Sequence, residues 1–280
     1  MTKGQATSRP YSGHAEPGRS DPHRLDPRSR RGRLVSRPAN CWSCIERLDK
    51  AGHKILFVTN FSALTKRQAE MKLEAFGIDS QDRVLTSAMA AASLVDAGER
   101  VLVCAGEGVV EAVASRGALP LSPEDATASD EPVDAVIVGF HREFNFERLA
   151  ASASALHFGA RLISTNSDPT YPTPEGLLPG NGSLTAAVAS AGKTEATIAG
   201  KPNGPIADLV LSWLKLERNS PGNIVVGDLP ATDGLLAAEL GFDFGLVLSG
   251  VTSVEESTKC DPTPAFIADD LWSLVEAVLG

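Results

Sequence analysis

No stretch of this sequence stays apolar for the roughly 18 residues that a membrane-crossing helix needs. The opening Met1-Thr2-Lys3-Gly4 leads into polar residues, without the apolar segment of a secretory signal. Four scattered cysteines in 280 residues make no disulfide framework. A helical membrane span, a secretory leader and a disulfide-stapled scaffold are therefore not expected, and the expected location is cytoplasmic. Cys41-x-x-Cys44 has no matching second pair and no nearby βαβ context, so neither zinc nor redox chemistry is favoured. Gly106-x-Gly108 follows a strand-like run but lacks the third glycine of a dinucleotide-binding turn. Sequence repeats are also missing.

What is present is an ordinary globular composition, 42% apolar and 22% charged, long enough for one large domain or two modest ones. The net charge of -9 hides an asymmetry. Residues 1–40 hold nine Lys and Arg against three Asp and Glu, which leaves 17 against 32 for the remainder. The basic arm, residues 1–42, is rich in Arg, Pro, Ser and Gly and shows no sustained period. It cannot bury enough apolar surface to offset its ordering entropy, so disorder is expected there. Its run Arg28-Ser29-Arg30-Arg31-Gly32-Arg33 lacks interleaved aromatics, which disfavours nucleic acid as a partner.

Beyond the arm, a helical pattern begins at Cys44 and stops at Gly52. Lys54 to Asn60 then reads as a fully buried strand, and Thr65 to Phe76 as a helix closed by Gly77. Further strands are expected at Arg100–Cys104, Ala135–Gly139, Arg161–Thr165, Asn223–Gly227 and Phe244–Leu248. Helices at Val109–Arg116, Phe146–Phe158, Pro205–Leu216 and Gly234–Leu240 lie between them. This alternation predicts an α/β fold with a parallel sheet, whose sites lie at the carboxyl ends of the strands.

Polar residues stand where such a fold puts its chemistry. Thr59 and Asn60 end the first strand; they suit a phosphate oxygen, although such a pair after a strand more often serves a turn. Asp228 and Asp233, in Gly227-Asp228-Leu229-Pro230-Ala231-Thr232-Asp233-Gly234, could converge on a hard cation. They could also simply end a strand and cap a helix. Lys201, held between Gly200 and Pro202, is a fixed point charge suited to phosphate, or else a solvated loop lysine. His53 and His157 close helices and His141 sits in a loop; all three read as structural.

The ordered set Thr-Asn, Gly-Lys-Pro, Gly-Asp-x4-Asp resembles the haloacid dehalogenase superfamily, subfamily IIA, with a C2-type cap. The resemblance runs from about Ser43 to Gly280 and includes Val138-Gly139-Phe140, Thr165-Asn166-Ser167-Asp168 and Leu248-Ser249-Gly250-Val251-Thr252. It implies a Rossmann-like parallel-sheet core of residues 43–79 and 194–280, with an inserted α/β cap of residues 80–193 that chooses the substrate. It implies a Mg²⁺-dependent phosphatase acting on small phosphorylated metabolites through an aspartyl-phosphate. Thr59 would bond the phosphoryl group with Asn60 in support, and Lys201 would neutralise the phosphate. Asp228 would ligate Mg²⁺, and Asp233 would position its waters or Lys201. Asn166, Asp168 and the Pro179-Gly180-Asn181-Gly182 turn would lie near the cap–core seam. A homo-oligomer is allowed. Leu229 and Phe61 depart from the family's usual residues.

One element of the family pattern is missing. The Asp-x-Asp-Gly motif, with its nucleophile and its acid/base, should stand about thirty residues before Thr59. That neighbourhood reads Asp26-Pro27-Arg28-Ser29-Arg30-Arg31-Gly32-Arg33-Leu34-Val35, with no usable carboxylate pair and no strand pattern. Shifted forward by one base, codons for Arg28 through Leu34 can encode Asp-Leu-Asp-Gly-Val-Val-Trp, and Asn40 to Trp42 can supply the segment before the first helix. Degeneracy permits this without forcing it. A wrongly assigned start joined to unrelated sequence is an alternative, as is a true pseudoenzyme that binds phosphometabolites or a protein. On each of these readings the chain as written lacks its nucleophile.

Overall fold

The computed structural model describes residues 41–173 and 176–279. The arm up to residue 40, where the frameshift reading and the expectation of disorder both fall, lies outside them. Helix α1 (Cys41–Lys50) takes in the last two residues of that arm and ends before Gly52, whose φ of +85° suits glycine. Strand β1 (Phe57–Thr59) follows, then α2 (Lys66–Glu74), β2 (Val84–Thr86) and α3 (Ser87–Ala92). Thr65 starts α2 through a capping box with Gln68, so the turn leaving Thr59 and Asn60 is closed by local chemistry.

The middle of the chain runs β3 (Arg100–Cys104), α4 (Glu107–Ser115), β4 (Leu119–Leu121), α5 (Pro123–Ala128), β5 (Ala135–Val138), α6 (Phe146–His157) and β6 (Arg161–Ser164). A hairpin of β7 (Thr170–Thr173) and β8 (Gly176–Pro179), α7 (Asn181–Gly192) and β9 (Thr197–Ile198) complete it. Strands β3 to β6 and β9 form one parallel sheet in the order β4-β3-β5-β6-β9. Its central strands are continuously apolar, and every residue of β5 is buried, as a sheet covered on both faces requires.

The last part runs α8 (Gly204–Leu214), β10 (Ile224–Gly227), a π-helical turn Pro230–Gly234, α9 (Leu235–Leu240), β11 (Asp243–Val247), α10 (Val254–Ser257), β12 (Phe266–Ala268) and α11 (Leu271–Leu279). Here β10, β11 and β12 pair in parallel, while β1 pairs in parallel with β2, Thr59 opposite Thr86. The fold is thus α/β with parallel sheets, as the alternation predicts. Among the described residues no helix is long and apolar enough to cross a membrane.

Two sheet edges stand apart. Among the described residues β1 pairs only with β2, and β10 only with β11. Yet Val58 of β1 and Val225 of β10 pack on the same apolar cluster, which includes Ile206 and Val210 of α8. Helix α8 packs against β2 on one side and α9 on the other, and α1 packs on α11. Strands β1 and β10 are only partly buried, whereas every residue of β5 is buried.

His141, after β5, is buried, with Nδ1 2.9 Å from the Gly139 carbonyl and Nε2 without a partner among the described residues. Burial lowers its pKa from the usual 6.5; the Gly139 bond opposes this, nearby Arg148 adds to it, and Glu143 opposes it. The unfolded chain therefore takes up this proton first as pH falls, so the histidine is harmless to stability above about 6.5 and costs stability below it. We expect the thermal midpoint to fall between pH 7.5 and 5.5, and the slope to flatten in His141→Gln. An equal slope in that variant would assign the pH dependence to other groups.

Candidate active site at the strand ends

Asn60, next to Thr59 in the chain, is linked to Lys201, and Lys201 to Asp233. The Asn60 side chain accepts from the Lys201 backbone N–H at 2.8 Å and donates to the Lys201 carbonyl at 3.2 Å and to Asp168 Oδ2 at 3.3 Å. Its backbone carbonyl accepts from Ser87 Oγ at 2.7 Å and Asn166 Nδ2 at 2.8 Å. One residue at the tip of β1 therefore ties the Lys201 loop, the start of α3 and the loop after β6 into one body. Gly200 permits this closeness, because a Cβ there would overlap the Thr165 carbonyl and lie 2.6 Å from Asn60 Oδ1.

Lys201 Nζ reaches Asp233 Oδ1 at 2.7 Å, with side chains 15% and 8% exposed, so the pair is well shielded from water. The other oxygen, Oδ2, accepts the Leu229 N–H at 3.2 Å, which folds the π-helical turn back over the end of β10. Gly227 leaves room for it, since a Cβ there would collide with the Asp233 carboxylate. Asp233 thus bridges the Lys201 ammonium group and the backbone of the turn after β10.

Asp228 follows directly on β10. Its Oδ2 accepts from Val251 N at 2.8 Å and its carbonyl from Thr252 Oγ1 at 2.6 Å. The carboxylate is oriented by backbone, while Oδ1 has no bond among the described residues. Among the described residues no three His, Cys, Asp or Glu side chains gather as a metal-ion cluster. Thr59 Oγ1 accepts the Phe61 N–H at 3.1 Å and stays partly exposed.

The seam residues divide. Asp168 is part-exposed beside Asn60, whereas Asn166 is buried, its Oδ1 accepting from Asp168 N at 3.1 Å. Asn181 of the glycine-flanked turn is buried and donates to Ser164 Oγ and the Asn166 carbonyl, each at 2.9 Å. Two hydroxyls that the sequence does not single out also brace the site. Fully buried Ser62 accepts from Phe140 N at 3.2 Å and Thr165 Oγ1 at 3.1 Å, and Ser87 holds the Asn60 carbonyl. A lone serine has no pattern; position just after a strand end is the only available signal.

Comparison with known proteins follows this geometry. Residues 40–118 match the model of haloacid dehalogenase-like hydrolases, and residues 198–274 match an HAD-hydrolase-like model. An acid sugar phosphatase of Staphylococcus haemolyticus is 35% identical over 220 residues, which covers 77% of this chain and 80% of that protein. A hypothetical protein of Pyrococcus horikoshii OT3 has a similar structure, with TM-score 0.76 and 31% identity over 84% of this chain and 91% of that one. The glycerol phosphate phosphatase of Mycobacterium tuberculosis, solved in complex with magnesium, gives TM-score 0.72 and 31% identity, covering 82% of this chain and 69% of that one.

Removing one member of the shielded pair leaves the other charge without its partner. Asp233→Ala should cost about 3–5 kcal/mol in urea unfolding, and the double change Lys201→Met with Asp233→Leu should recover most of it. A loss under about 1 kcal/mol for the single variant would mean that the pair is solvated in solution.

Proposed function

This chain belongs to the haloacid dehalogenase-like hydrolases, subfamily IIA, and from that membership we propose a phosphatase-type site for small phosphomonoesters with magnesium as its cofactor. The observation that carries the reading is the Lys201–Asp233 pair, clamped by Asn60 beside the tip of β1. Lys201 is a point charge for the phosphate, held so that little reorganisation is needed when the anion arrives. Thr59 offers its hydroxyl to a phosphoryl oxygen, and Asn60 acts through the Lys201 backbone. Residues 43–79 and 194–280 are proposed as the core and 80–193 as the cap. Strand pairing argues for moving both bounds by a few residues, because β2 (Val84–Thr86) pairs with β1 of the proposed core and β9 (Thr197–Ile198) pairs with β6 of the proposed cap. Asp168 and, behind it, Asn166 would face the substrate from the cap.

The donor set fits magnesium at one point. Asp228 has a carboxylate oriented by Val251 and one oxygen to give, and Mg²⁺ is commonly held by one or two carboxylates with water and phosphate oxygens. When bound, the ion would neutralise phosphate charge. The nucleophile of the aspartyl-phosphate route is not among the described residues, so the proposal is that the chain as written is inactive and the intact gene product active. The rival is a non-catalytic relative that binds phosphometabolites or a protein through its cap. Small phosphorylated metabolites are the proposed partners on either reading, in a cytoplasmic setting.

The chain as written should show no magnesium-dependent turnover of p-nitrophenyl phosphate, since loss of a nucleophile costs on the order of 10⁶ in rate. Clear turnover that vanishes in Asp228→Asn would reveal another nucleophile.

Correcting the frame between about residues 24 and 43 tests the other half. The restored strand would enter between β1 and β10, and each buried backbone group it pairs is worth about 1–3 kcal/mol. Thermal midpoint and activity should rise together. Changing the first restored Asp to Asn should abolish turnover and keep most of the stability. A corrected protein that is stable yet inert toward a broad phosphomonoester panel with Mg²⁺ would leave the binding-protein rival.

A further inference from the structure

Aromatic side chains are scarce here: ten Phe, three Trp and two Tyr in 280 residues. Three of them nevertheless meet at the cap–core seam. The Phe61 and Phe140 ring centroids are 5.7 Å apart, and those of Phe140 and Tyr171 are 4.8 Å apart, edge to face. None of the three belongs to the apolar core clusters, and Phe61 is 38% exposed. Packing of the interior does not account for them.

Their placement is tied to the site. Phe61 donates its N–H to Thr59 Oγ1 at 3.1 Å, so this ring begins two residues from the proposed phosphate hydroxyl. Phe140 is fixed to the same loop through Ser62 Oγ at 3.2 Å. Tyr171 stands on β7 three residues beyond Asp168, which Asn60 contacts, and its hydroxyl accepts from Arg142 Nη2 at 3.3 Å. Opposite it on β8, Leu178 adds a partly exposed apolar side chain. Lys72 Nζ lies 5.1 Å from the Phe61 centroid, a cation that favours an electron-rich ring face there.

We propose that Phe61, Phe140 and Tyr171 form the leaving-group side of the site and select phosphomonoesters whose leaving group is a planar aromatic ring. The proposal rests on the phosphate reading of Thr59 and Lys201. Rings prefer offset or edge-to-face contact with other rings, and such pairs add a modest gain beyond the area they bury. An aliphatic leaving group fills the same space without it.

Calorimetric titration of the full chain with orthophosphate, phenyl phosphate and glycerol phosphate, each in the presence of Mg²⁺, tests this without needing turnover. Phenyl phosphate should bind about twofold to tenfold more tightly than glycerol phosphate. Phe61→Leu and Tyr171→Leu, which keep apolar bulk, should each remove most of that preference and leave orthophosphate affinity within about twofold. Lys201→Met should weaken all three ligands together. Equal affinity for the two esters, or a preference that survives both leucine variants, overturns the aromatic proposal while orthophosphate binding leaves the phosphate reading standing. If neither orthophosphate nor either ester binds, both fall.

Discussion

The site depends on one side chain amide. Asn60 meets Lys201 through both the N–H and the carbonyl of that residue, so the lysine loop is held at the tip of β1 at two points. Because the same amide reaches Asp168 and the Asn60 carbonyl receives Ser87 and Asn166, the clamp also fixes the loop after β6 and the first turn of α3. Lys201 in turn settles Asp233, and Asp233 settles the turn after β10 through Leu229. Buried polar networks of this kind are stabilising only when their members are satisfied together, which makes the geometry close to all-or-none.

Close approach is the second constraint, and it explains why glycine recurs beside each charged group. Asp233 lies against the bare backbone of Gly227, and the Asp228 carboxylate lies where a Gly250 side chain would begin. In both places an alanine would displace the carboxylate itself. The family motifs Gly-Lys-Pro, Gly-Asp-x4-Asp and Ser-Gly-Val-Thr are thus pairs of a polar group and the space it needs.

This pairing bears on what could be read from the sequence. Long apolar runs gave β3, β5 and β6 to within a residue, because a strand buried on both faces leaves an unmistakable pattern. Strand β2 is three residues long and runs directly into α3, and β9 has only two, so neither offers a period to detect. Leu119-Pro120-Leu121 is disguised by its proline, which is tolerated because β4 lies at the sheet edge. Lys54 to Asn60 reads as fully buried, yet β1 covers three residues and is only half-buried. Its apolar side chains suit a central strand, although among the described residues it has one strand partner. Among the candidate site residues, Lys201 and Asp233 stand out in the sequence only through the ordered set of motifs, because a lone loop lysine or a helix-capping aspartate looks the same. The bracing hydroxyls of Ser62 and Ser87 were not, because a buried serine and a solvated one look alike in sequence.

Charge brings these threads to one point. Around the tips of β1 and β10, Lys201 is balanced by Asp233, and Asp228 adds a carboxylate with a free oxygen. The three groups together carry one more negative charge than positive. A phosphomonoester brings ≈ −1.5 to −2 more near neutral pH. On the proposed reading, an anion would therefore be drawn in poorly by these three side chains alone, and a divalent cation on Asp228 reverses the sign of the local field. The single charge of Lys201 is paired with Asp233, so on the proposed reading its role would be directional, a donor already aimed, rather than a reservoir of positive potential. Thr59 and the backbone N–H groups of the following loop orient without adding charge. On that reading placement would come from Asn60 and the glycines, and the attraction that holds the phosphate would come from an ion shared with Asp228.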